Sequence, residues 1–221
     1  MDSLISSNVC PLCDSLSVNL LHTSKRKNLE RDYLLCAECD LVFVPSVFHV
    51  DIGAERERYL SHNNQVWDRS YRQFLGKLWQ ELSPKLTPGM SGLDFGSGPG
   101  PALAAMMDED GFEVTIYDPL FQPNTDVLQR KYDFVTCTET VEHFKRPREE
   151  FNLLVNLLRP GGWLGVMTGM LDNRTGFHGW YYHLDPTHIG FYSSTTMRWI
   201  SEWIGCVVEM PVQNVALFRK S

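Results

Sequence analysis

The glycine-rich stretch at residues 93–100 constrains the fold more than any other part of the chain. It consists of Leu-Asp-Phe-Gly-Ser-Gly-Pro-Gly, an apolar residue and an acid that lead into three closely spaced glycines. A run of helix formers, residues 101–107, follows and begins with proline, which the first turn of a helix tolerates. Strand, glycine turn and helix in this order bring backbone N–H groups close to a nucleotide-like ligand in an α/β fold.

Apolar runs and helical patterns alternate along the rest of the chain. The predicted strands are 93–95, 111–118, 132–137 and 163–168, the predicted helices are 101–110, 148–158 and 194–204, and the last two strands, 206–210 and 215–219, form a hairpin. This alternation predicts an α/β fold, a Rossmann-like doubly wound sheet that is mostly parallel and carries helices on both faces. Residues 159–162, Arg-Pro-Gly-Gly, are predicted to end a helix and form a turn.

Four of the six cysteines lie in two C-x-x-C pairs near the start of the chain. Cys10 and Cys13 form the first pair, Cys36 and Cys39 form the second, and 22 residues separate them. Two such turns can present four thiolates to one zinc ion in a closed tetrahedron, which leaves no open position for catalysis. The spacing therefore predicts a structural zinc ribbon, although His22 is a less favoured alternative ligand.

The glycine stretch fits the pattern D/E-x-G-x-G-x-G. It does not fit the dinucleotide fingerprint G-x-G-x-x-G/A, because Pro101 occupies the sixth place. Three further features follow along the chain. Asp118 is an acid 20 residues after Gly98, residues 139–143 are Glu-Thr-Val-Glu-His, and residues 158–162 form a Leu-Arg-Pro-Gly-Gly turn. On these four features, which span residues 92–168, the chain resembles the class I S-adenosylmethionine (SAM) methyltransferases.

The resemblance implies SAM as the cofactor and assigns residues to it. Asp94 would help to hold the methionine amino end, and the glycines would let the backbone approach the cofactor closely. Asp118 would hold the ribose hydroxyls, and residues 138–139 would line the wall that faces the methyl group. The cofactor-binding residues implied in this way are Asp94, Gly96, Ser97, Gly98, Pro99, Gly100, Asp118, Pro119, Thr138 and Glu139.

The chain departs from the family pattern at one place. Only 13 residues separate Asp118 from Tyr132, where the family usually fits a helix, a strand and another helix. The third strand of the sheet is therefore expected to be truncated or lost. The adenine is then expected to contact residues 126–127 or a cover formed by Pro119, Phe121 and Pro123.

Residues 177–192 combine three histidines with several aromatic residues after a predicted strand end, where loops of α/β folds meet their ligands. His143, just past the preceding strand, is the candidate general base, because histidine can accept a proton near neutral pH. A capping or positioning role for His143 is an equally weighted alternative. The further catalytic candidates are Tyr182, His183 and His188, together with Asp185.

The sequence predicts three segments. Residues 1–50 form the zinc ribbon, residues 51–88 form a helical lid or linker of two helices, and residues 89–221 form the SAM-binding domain. Tyr59 and His62 are predicted to cover the site. Because structural zinc supplies the folding energy of a small module, chelation is expected to unfold residues 1–50 and leave the SAM domain folded.

Composition restricts the partners. The net charge of −7 argues against binding driven by a basic nucleic-acid footprint, although residues 25–27 form a small basic tip. No apolar stretch of membrane-spanning length and no secretory signal is visible, so a cytoplasmic location away from membranes is expected. The prediction is a SAM-dependent methyltransferase that acts on a small molecule by O- or C-methylation. The alternatives are an RNA methyltransferase that docks through its ribbon and a non-catalytic SAM-binding or partner-binding protein, and the oligomeric state stays open.

Overall fold

The computed structural model describes residues 9–61 and 65–221, and within them the chain forms ten strands and five α-helices. The strands are β1 (Val18–Ser24), β2 (Arg31–Cys36), β3 (Val42–Phe43), β4 (Ser91–Phe95), β5 (Glu113–Tyr117), β6 (Tyr132–Thr138), β7 (Leu158–Met167), β8 (Gly190–Phe191), β9 (Cys206–Glu209) and β10 (Val215–Lys220). The helices are α1 (Ile52–Leu60), α2 (Arg69–Leu82), α3 (Ala102–Glu109), α4 (Pro147–Leu157) and α5 (Ser194–Ile204). His62, predicted to cover the site, lies outside the described residues.

The larger sheet has six strands in the order β5-β4-β6-β7-β10-β9. The first four run parallel, and β10 and β9 add to them in antiparallel pairs. The predicted α/β fold with a mostly parallel sheet is confirmed. The last two strands form the predicted hairpin, which closes one edge of the sheet.

Helices cover both faces of this sheet. Neighbouring residues of a strand point to opposite faces of the sheet, so Phe134 and Val135 of β6 pack into two different cores. Phe134 packs in one cluster with residues of α2 and α3, such as Leu78 and Leu103. Val135 packs in the other cluster with residues of α4 and α5, such as Phe151. The doubly wound arrangement follows from this alternation.

The third strand of the family pattern is missing, as the short link after Asp118 predicts. The segment between β5 and β6 forms a single 3-10 turn, Thr125–Gln129, and β5 is the edge strand of the sheet. The loss leaves the region beyond β5 uncovered by any further strand of the described chain. The cavity beside β5 is therefore bounded there by loops.

Strand β7 begins earlier than predicted. It starts at Leu158, directly after α4, and the predicted turn at residues 159–162 is the irregular beginning of the strand. Gly161 has a φ of 77°, a left-handed conformation that favours glycine, and the pairing register between β6 and β7 shifts here. The Pro-Gly-Gly sequence thus bends a strand that continues through it.

The smaller sheet holds the cysteine ribbon, residues 9–45. β1 and β2 form an antiparallel hairpin, and β3 pairs with β2. β8 joins the same sheet from the far end of the chain, with Phe43 opposite Gly190. The ribbon sheet therefore includes residues from outside the predicted 1–50 segment, and buried Leu12 and Phe43 belong to the same apolar cluster as Phe151.

The two helices predicted between the ribbon and the sheet are α1 and α2. Asp51 and Asp68 begin them as N-caps, and each side chain accepts hydrogen bonds from two backbone N–H groups. Helix α2 buries Leu78 and Trp79 against the sheet, whereas α1 has no fully buried residue. No helix of the described residues is long and apolar enough to cross a membrane.

Candidate functional site

A cavity of about 830 Å³ opens at the carboxyl ends of β4, β5 and β6. Its walls come from the glycine loop (residues 96–100), from α1 and the start of α2, and from the aromatic loop (residues 177–192). Open parallel sheets bind ligands at this edge, and the volume suits a small-molecule site. Most of the cofactor and acceptor residues predicted from the sequence therefore line one cavity.

The glycine loop turns sharply between β4 and α3. Gly96 has a φ of 78°, and a Cβ atom there would lie 2.3 Å from Cγ2 of Thr140, so glycine is required at this position. The N–H groups of Gly96 and Ser97 donate to the carbonyl of Tyr117 at 2.8 and 3.2 Å. These bonds fix the loop to the end of β5.

Asp94 and Asp118 converge on the glycine loop. Asp94 is buried and accepts a hydrogen bond of 2.8 Å from Oγ1 of Thr136. Burial raises the pKa of the Asp94 carboxyl to about 6, although the Thr136 bond lowers it. Asp118 accepts from the N–H of Gly98 at 2.9 Å and from two N–H groups of its own turn. Asp118 thus fixes the glycine loop and also lines the cavity.

The hydroxyl of Ser97, on the same wall, is a buried polar group whose hydrogen bonding the described residues do not satisfy. Its oxygen is buried and has no hydrogen-bond partner among the described residues, although buried hydroxyls normally have one. Ser97 lines the cavity, so a bound ligand could supply the partner. Nine of the ten predicted cofactor residues line the cavity, and Gly100 does not.

The opposite wall contains a network of buried carboxylates and hydroxyls. The hydroxyl of Tyr182 donates to Oε1 of Glu142 at 2.5 Å and lies 3.1 Å from Oε2 of Glu139. Oγ1 of Thr168 donates to the other oxygen of Glu142 at 2.8 Å. Burial, followed by the charge of Glu142, raises the pKa of Glu139 well above its usual range. The Glu139 carboxyl therefore holds its proton more tightly than an exposed glutamic acid does.

His143 and His188 line the cavity beside this network. Nδ1 of His143 lies 3.0 Å from the carbonyl of Thr187, and Nδ1 of His188 lies 2.8 Å from the carbonyl of Tyr182. A carbonyl only accepts, so each Nδ1 carries the proton and each neutral ring keeps its lone pair on Nε2. Nε2 of His143 is 4.0 Å from Oε1 of Glu142. Burial, with the nearby His143 adding to it, lowers the pKa of His188 to about 4.

His183 lies outside the cavity lining. Its ring stacks on Phe177 with centroids 4.8 Å apart and meets Tyr33 edge-on at 5.3 Å. The side chain is buried in this aromatic cluster, where burial lowers its pKa to about 4. The structure thus separates His183 from the other catalytic candidates, Tyr182, His143 and His188. Packing against Phe177 and Tyr33 accounts for its position.

Two ion pairs connect α1 to the far side of the cavity. Arg58 contacts the carboxylate of Asp185 at 2.7 Å, and Lys145 contacts that of Glu55 at 3.0 Å. Tyr59, the predicted cover, packs edge-on against His143 at 5.1 Å. Arg58 and Thr168 carry no motif that would identify them from sequence. Glu142, in contrast, lies within the Glu-Thr-Val-Glu-His segment and could have been chosen beside His143.

The four cysteines of the ribbon come together as predicted. All four sulfurs lie within 4.8 Å of one another, and those of Cys10 and Cys39, like those of Cys13 and Cys36, are 3.4 Å apart. Each C-x-x-C turn is closed by a backbone N–H that donates to the carbonyl of its first cysteine, at 3.0 and 3.1 Å. Four thiolates at 2.3 Å from one zinc ion would be about 3.8 Å apart, so the donor set fits this metal.

A family model for a methyltransferase domain matches residues 67–209. The matched segment makes up more than half of the chain and includes the glycine loop, Asp118, Glu142 and His143. The chain belongs to this methyltransferase family. The resemblance to class I SAM methyltransferases inferred from the sequence is confirmed at the level of the family.

Solved methyltransferase structures have the same fold. The magnesium protoporphyrin IX methyltransferase of Synechocystis PCC 6803 with bound SAM is 16% identical, with a TM-score of 0.51 over 77% of this chain and 92% of that one. A SAM dependent methyltransferase from Archaeoglobus fulgidus is 18% identical, with a TM-score of 0.50 over 72% of this chain and 76% of that one. At these identities the likeness establishes the fold alone.

Curated methyltransferases match a shorter segment. The ubiquinone biosynthesis O-methyltransferase of Shewanella pealeana is 26% identical over 93 residues, which are 42% of this chain and 39% of that protein. The chain thus spans about two fifths of the length of the curated relatives it matches. The shared segment supports common ancestry of the methyltransferase domain.

Proposed function

We propose that the protein is a SAM-dependent methyltransferase that acts on a small-molecule acceptor. One observation carries the proposal: a single cavity joins the family's glycine loop to a wall of histidine, carboxylate and tyrosine side chains. When bound, SAM supplies a methyl group activated by the adjoining sulfonium, so the protein mainly has to orient the acceptor, exclude water and take up a proton. A non-catalytic binding protein would not need the second wall.

The residues of the first wall, the side of the cavity formed by the glycine loop with Asp94 and Asp118, fit SAM. Asp94 offers a buried carboxylate to the methionine amino group, and Ser97 offers a hydroxyl that has no partner among the described residues. Asp118 already accepts from three backbone N–H groups and keeps one acceptor position, on Oδ2, for a ribose hydroxyl. Pro119 and Leu120, which line the cavity after β5, are the candidates to cover the adenine, since the third strand is missing.

The second wall suits an acceptor that must lose a proton. We assign His143 as the general base, because Nε2 carries its lone pair and Glu142, 4.0 Å away, would stabilise the ring once it is protonated. Tyr182 orients Glu142, and His188 borders the same space. The curated relatives are named for O-methylation, which favours a hydroxyl acceptor over an acidic carbon.

The cavity favours an uncharged acceptor. Arg58 and Lys145 are its two lining lysine or arginine residues in the described chain, and both already pair with carboxylates. An anionic acceptor would have to displace one of these pairs and approach Glu142. The same acidic wall, with the net charge of −7, disfavours an RNA acceptor.

We also propose that the four ribbon cysteines bind zinc and that this zinc is structural. A closed shell of four thiolates leaves no coordination position for an acceptor or water. The cluster is buried in the apolar core and does not line the cavity.

The function is tested in two steps with the full chain. Isothermal titration with S-adenosylhomocysteine is expected to show one binding site per chain. Labelled methyl groups from SAM should then appear in compounds of a metabolite extract and not in RNA. Absence of S-adenosylhomocysteine binding would exclude every methyltransferase version. Transfer into RNA would overturn the small-molecule acceptor.

Cofactor affinity is expected to depend on pH through Asp94. Its pKa of about 6 lies above the ordinary carboxyl value, so the folded protein protonates Asp94 as the pH falls through 6. The cationic amino group of S-adenosylhomocysteine prefers the ionised form, and binding at pH 5 should be about tenfold weaker than at pH 7.5. Titration calorimetry at both values measures this change.

The variant Asp94→Asn is the control for that dependence. It should bind S-adenosylhomocysteine more weakly at pH 7.5 and lose the pH-dependent change. Because the variant removes a buried charge, the free energy of unfolding at pH 7.5 should rise by roughly 3 kcal/mol, the value that corresponds to a carboxyl pKa raised from 3.8 to about 6. A wild-type affinity that is equal at both pH values would contradict the assignment of Asp94.

A further inference from the structure

Arg31, the first residue of β2, is buried and forms no ion pair with any described residue. Only 3% of its surface is exposed, yet it carries a full positive charge. Its Nη2 donates to the carbonyls of His183 and Asp185 at 2.8 and 2.9 Å, and its Nη1 donates to that of Pro186 at 2.9 Å. A buried charge is costly unless its hydrogen bonds are satisfied, so these carbonyls hold Arg31 in one geometry.

Tyr33, two residues further along β2, completes this arrangement. Its hydroxyl accepts from Nε of Arg31 at 2.8 Å and donates to the carbonyl of His183 at 3.0 Å. Residues 31 and 33 lie on the same face of the strand, as the alternation of a strand requires. One face of the ribbon therefore binds the backbone of residues 183–186 through four hydrogen bonds.

The bound segment lies inside the aromatic loop, between two residues of the cavity wall. Tyr182 precedes it and orients Glu142, and His188 follows it. Asp185, within the segment, is held from the other side because Arg58 of α1 binds its carboxylate. Two arginines from separate parts of the chain thus fix one short piece of irregular backbone.

The ribbon is suited to hold Arg31 rigidly. Strand β2 begins with Arg31 and ends with Cys36 of the cysteine cluster, and it pairs with β1 on one side and β3 on the other. A movement of the cluster would therefore shift the strand that carries the guanidinium. The strand provides a direct physical connection between the cysteine cluster and the cavity wall.

We propose that Arg31 is a positioning residue for methyl transfer, which couples the cysteine cluster to the acceptor wall through the backbone of residues 183–186. Its function is to keep Tyr182 and His188 directed into the cavity. The catalytic part of this inference rests on the proposed methyltransferase function. The structural part, that Arg31 holds the loop, does not.

Hydrogen exchange of the full-length chain, followed by mass spectrometry, tests the structural part. In Arg31→Met the peptide covering residues 183–190 should exchange at least tenfold faster than in the wild type, while the peptide covering residues 91–103 stays unchanged. Arg31→Lys keeps the charge but has one nitrogen, which cannot reach three carbonyls and Tyr33, so it should not restore protection. Arg26→Met, a change of an exposed arginine on the same hairpin, should have no effect.

Two further readouts separate positioning from general destabilisation. In Arg31→Met the affinity for S-adenosylhomocysteine and the amount of metal bound per chain should stay within twofold of the wild type. The KM for SAM should not change. The maximal rate of labelled methyl transfer into a metabolite extract should fall at least tenfold. If Arg31→Met does not fold, Tyr33→Phe replaces it and should raise exchange at residues 183–190 about threefold.

Unchanged exchange at residues 183–190 in a folded Arg31 variant would overturn the proposal, as would full protection in Arg31→Lys. A wild-type rate with a loosened loop would overturn the catalytic part. Failure of the methyltransferase function itself would instead appear as missing S-adenosylhomocysteine binding in the wild type. The exchange result stands in either case.

Discussion

Removal of the zinc that we propose for the cysteine cluster is expected to destabilise the whole chain in one transition. The ribbon sheet contains β8, which lies near the end of the aromatic loop, so unfolding of the ribbon takes away a pairing partner of Phe191. Leu12, Leu41 and Phe43 pack in the same apolar cluster as residues of α4 and α5. The structure thus argues against the expectation from sequence that residues 1–50 unfold alone.

The expected effect is large. Structural zinc contributes about 10–16 kcal/mol of apparent binding free energy in zinc-finger peptides, which is as much as the total stability of many domains. If half of this is lost on chelation, the melting temperature of a chain of this length should fall by at least about 10 °C. Calorimetry with and without a chelator, alongside metal analysis, measures the change.

A pair of variants isolates the role of the cluster. Cys36→Ser removes one sulfur ligand and should reproduce the effect of chelation. Cys206→Ser, at a buried thiol outside the cluster, should shift the melting temperature by no more than a few degrees. Two separate transitions after chelation, with the second at the wild-type temperature, would restore the view of the ribbon as an independent module.

The sequence predicts well those features that depend on neighbouring residues. The glycine turn, Asp118 and the two C-x-x-C pairs each need a short local pattern, and the structure brings them to the predicted places. Helix α5 has the predicted bounds because Ser193 begins it and Gly205, with a left-handed φ of 67°, ends it. Local signals of this kind survive in almost any tertiary context.

Features that depend on distant residues could not be predicted. β8 has two residues, too few for alternating hydrophobicity, and its pairing with β3 is decided by packing. His183 and His188 have similar surroundings in sequence, yet the irregular loop turns one to Phe177 and the other to the cavity. The role of Arg31 likewise has no signal in the sequence. Its partners are backbone carbonyls of residues 183–186, and every residue has such a carbonyl whatever its side chain.

Replacement of His143 by glutamine is expected to lower the rate of methyl transfer by a factor of about 100 to 10,000, the usual contribution of a general base. When neutral, the ring donates from Nδ1 to the carbonyl of Thr187 and keeps its lone pair on Nε2, and the side chain lines the cavity. Once Nε2 accepts the acceptor's proton, Glu142 lies close enough to stabilise the resulting charge. Glutamine can donate a hydrogen bond but cannot take up this proton.

Cofactor binding should survive the same change. His143 lies in the part of the cavity proposed for the acceptor, whereas Asp94, Ser97 and Asp118 lie in the part proposed for the cofactor. S-adenosylhomocysteine affinity in His143→Gln should therefore stay within about threefold of the wild type by calorimetry. The rate itself is measured as labelled methyl groups transferred from saturating SAM into a metabolite extract.

His178→Gln is the matched control, since this histidine belongs to the aromatic loop but is exposed and does not line the cavity. It should keep the wild-type rate. Glu142→Gln should lower the rate as well, because the neutral amide no longer stabilises a protonated His143. If His143→Gln keeps full activity while Glu142→Gln does not, the base is another group of the same cavity wall. The nearest candidate is His188, whose ring centre lies 4.8 Å from that of His143.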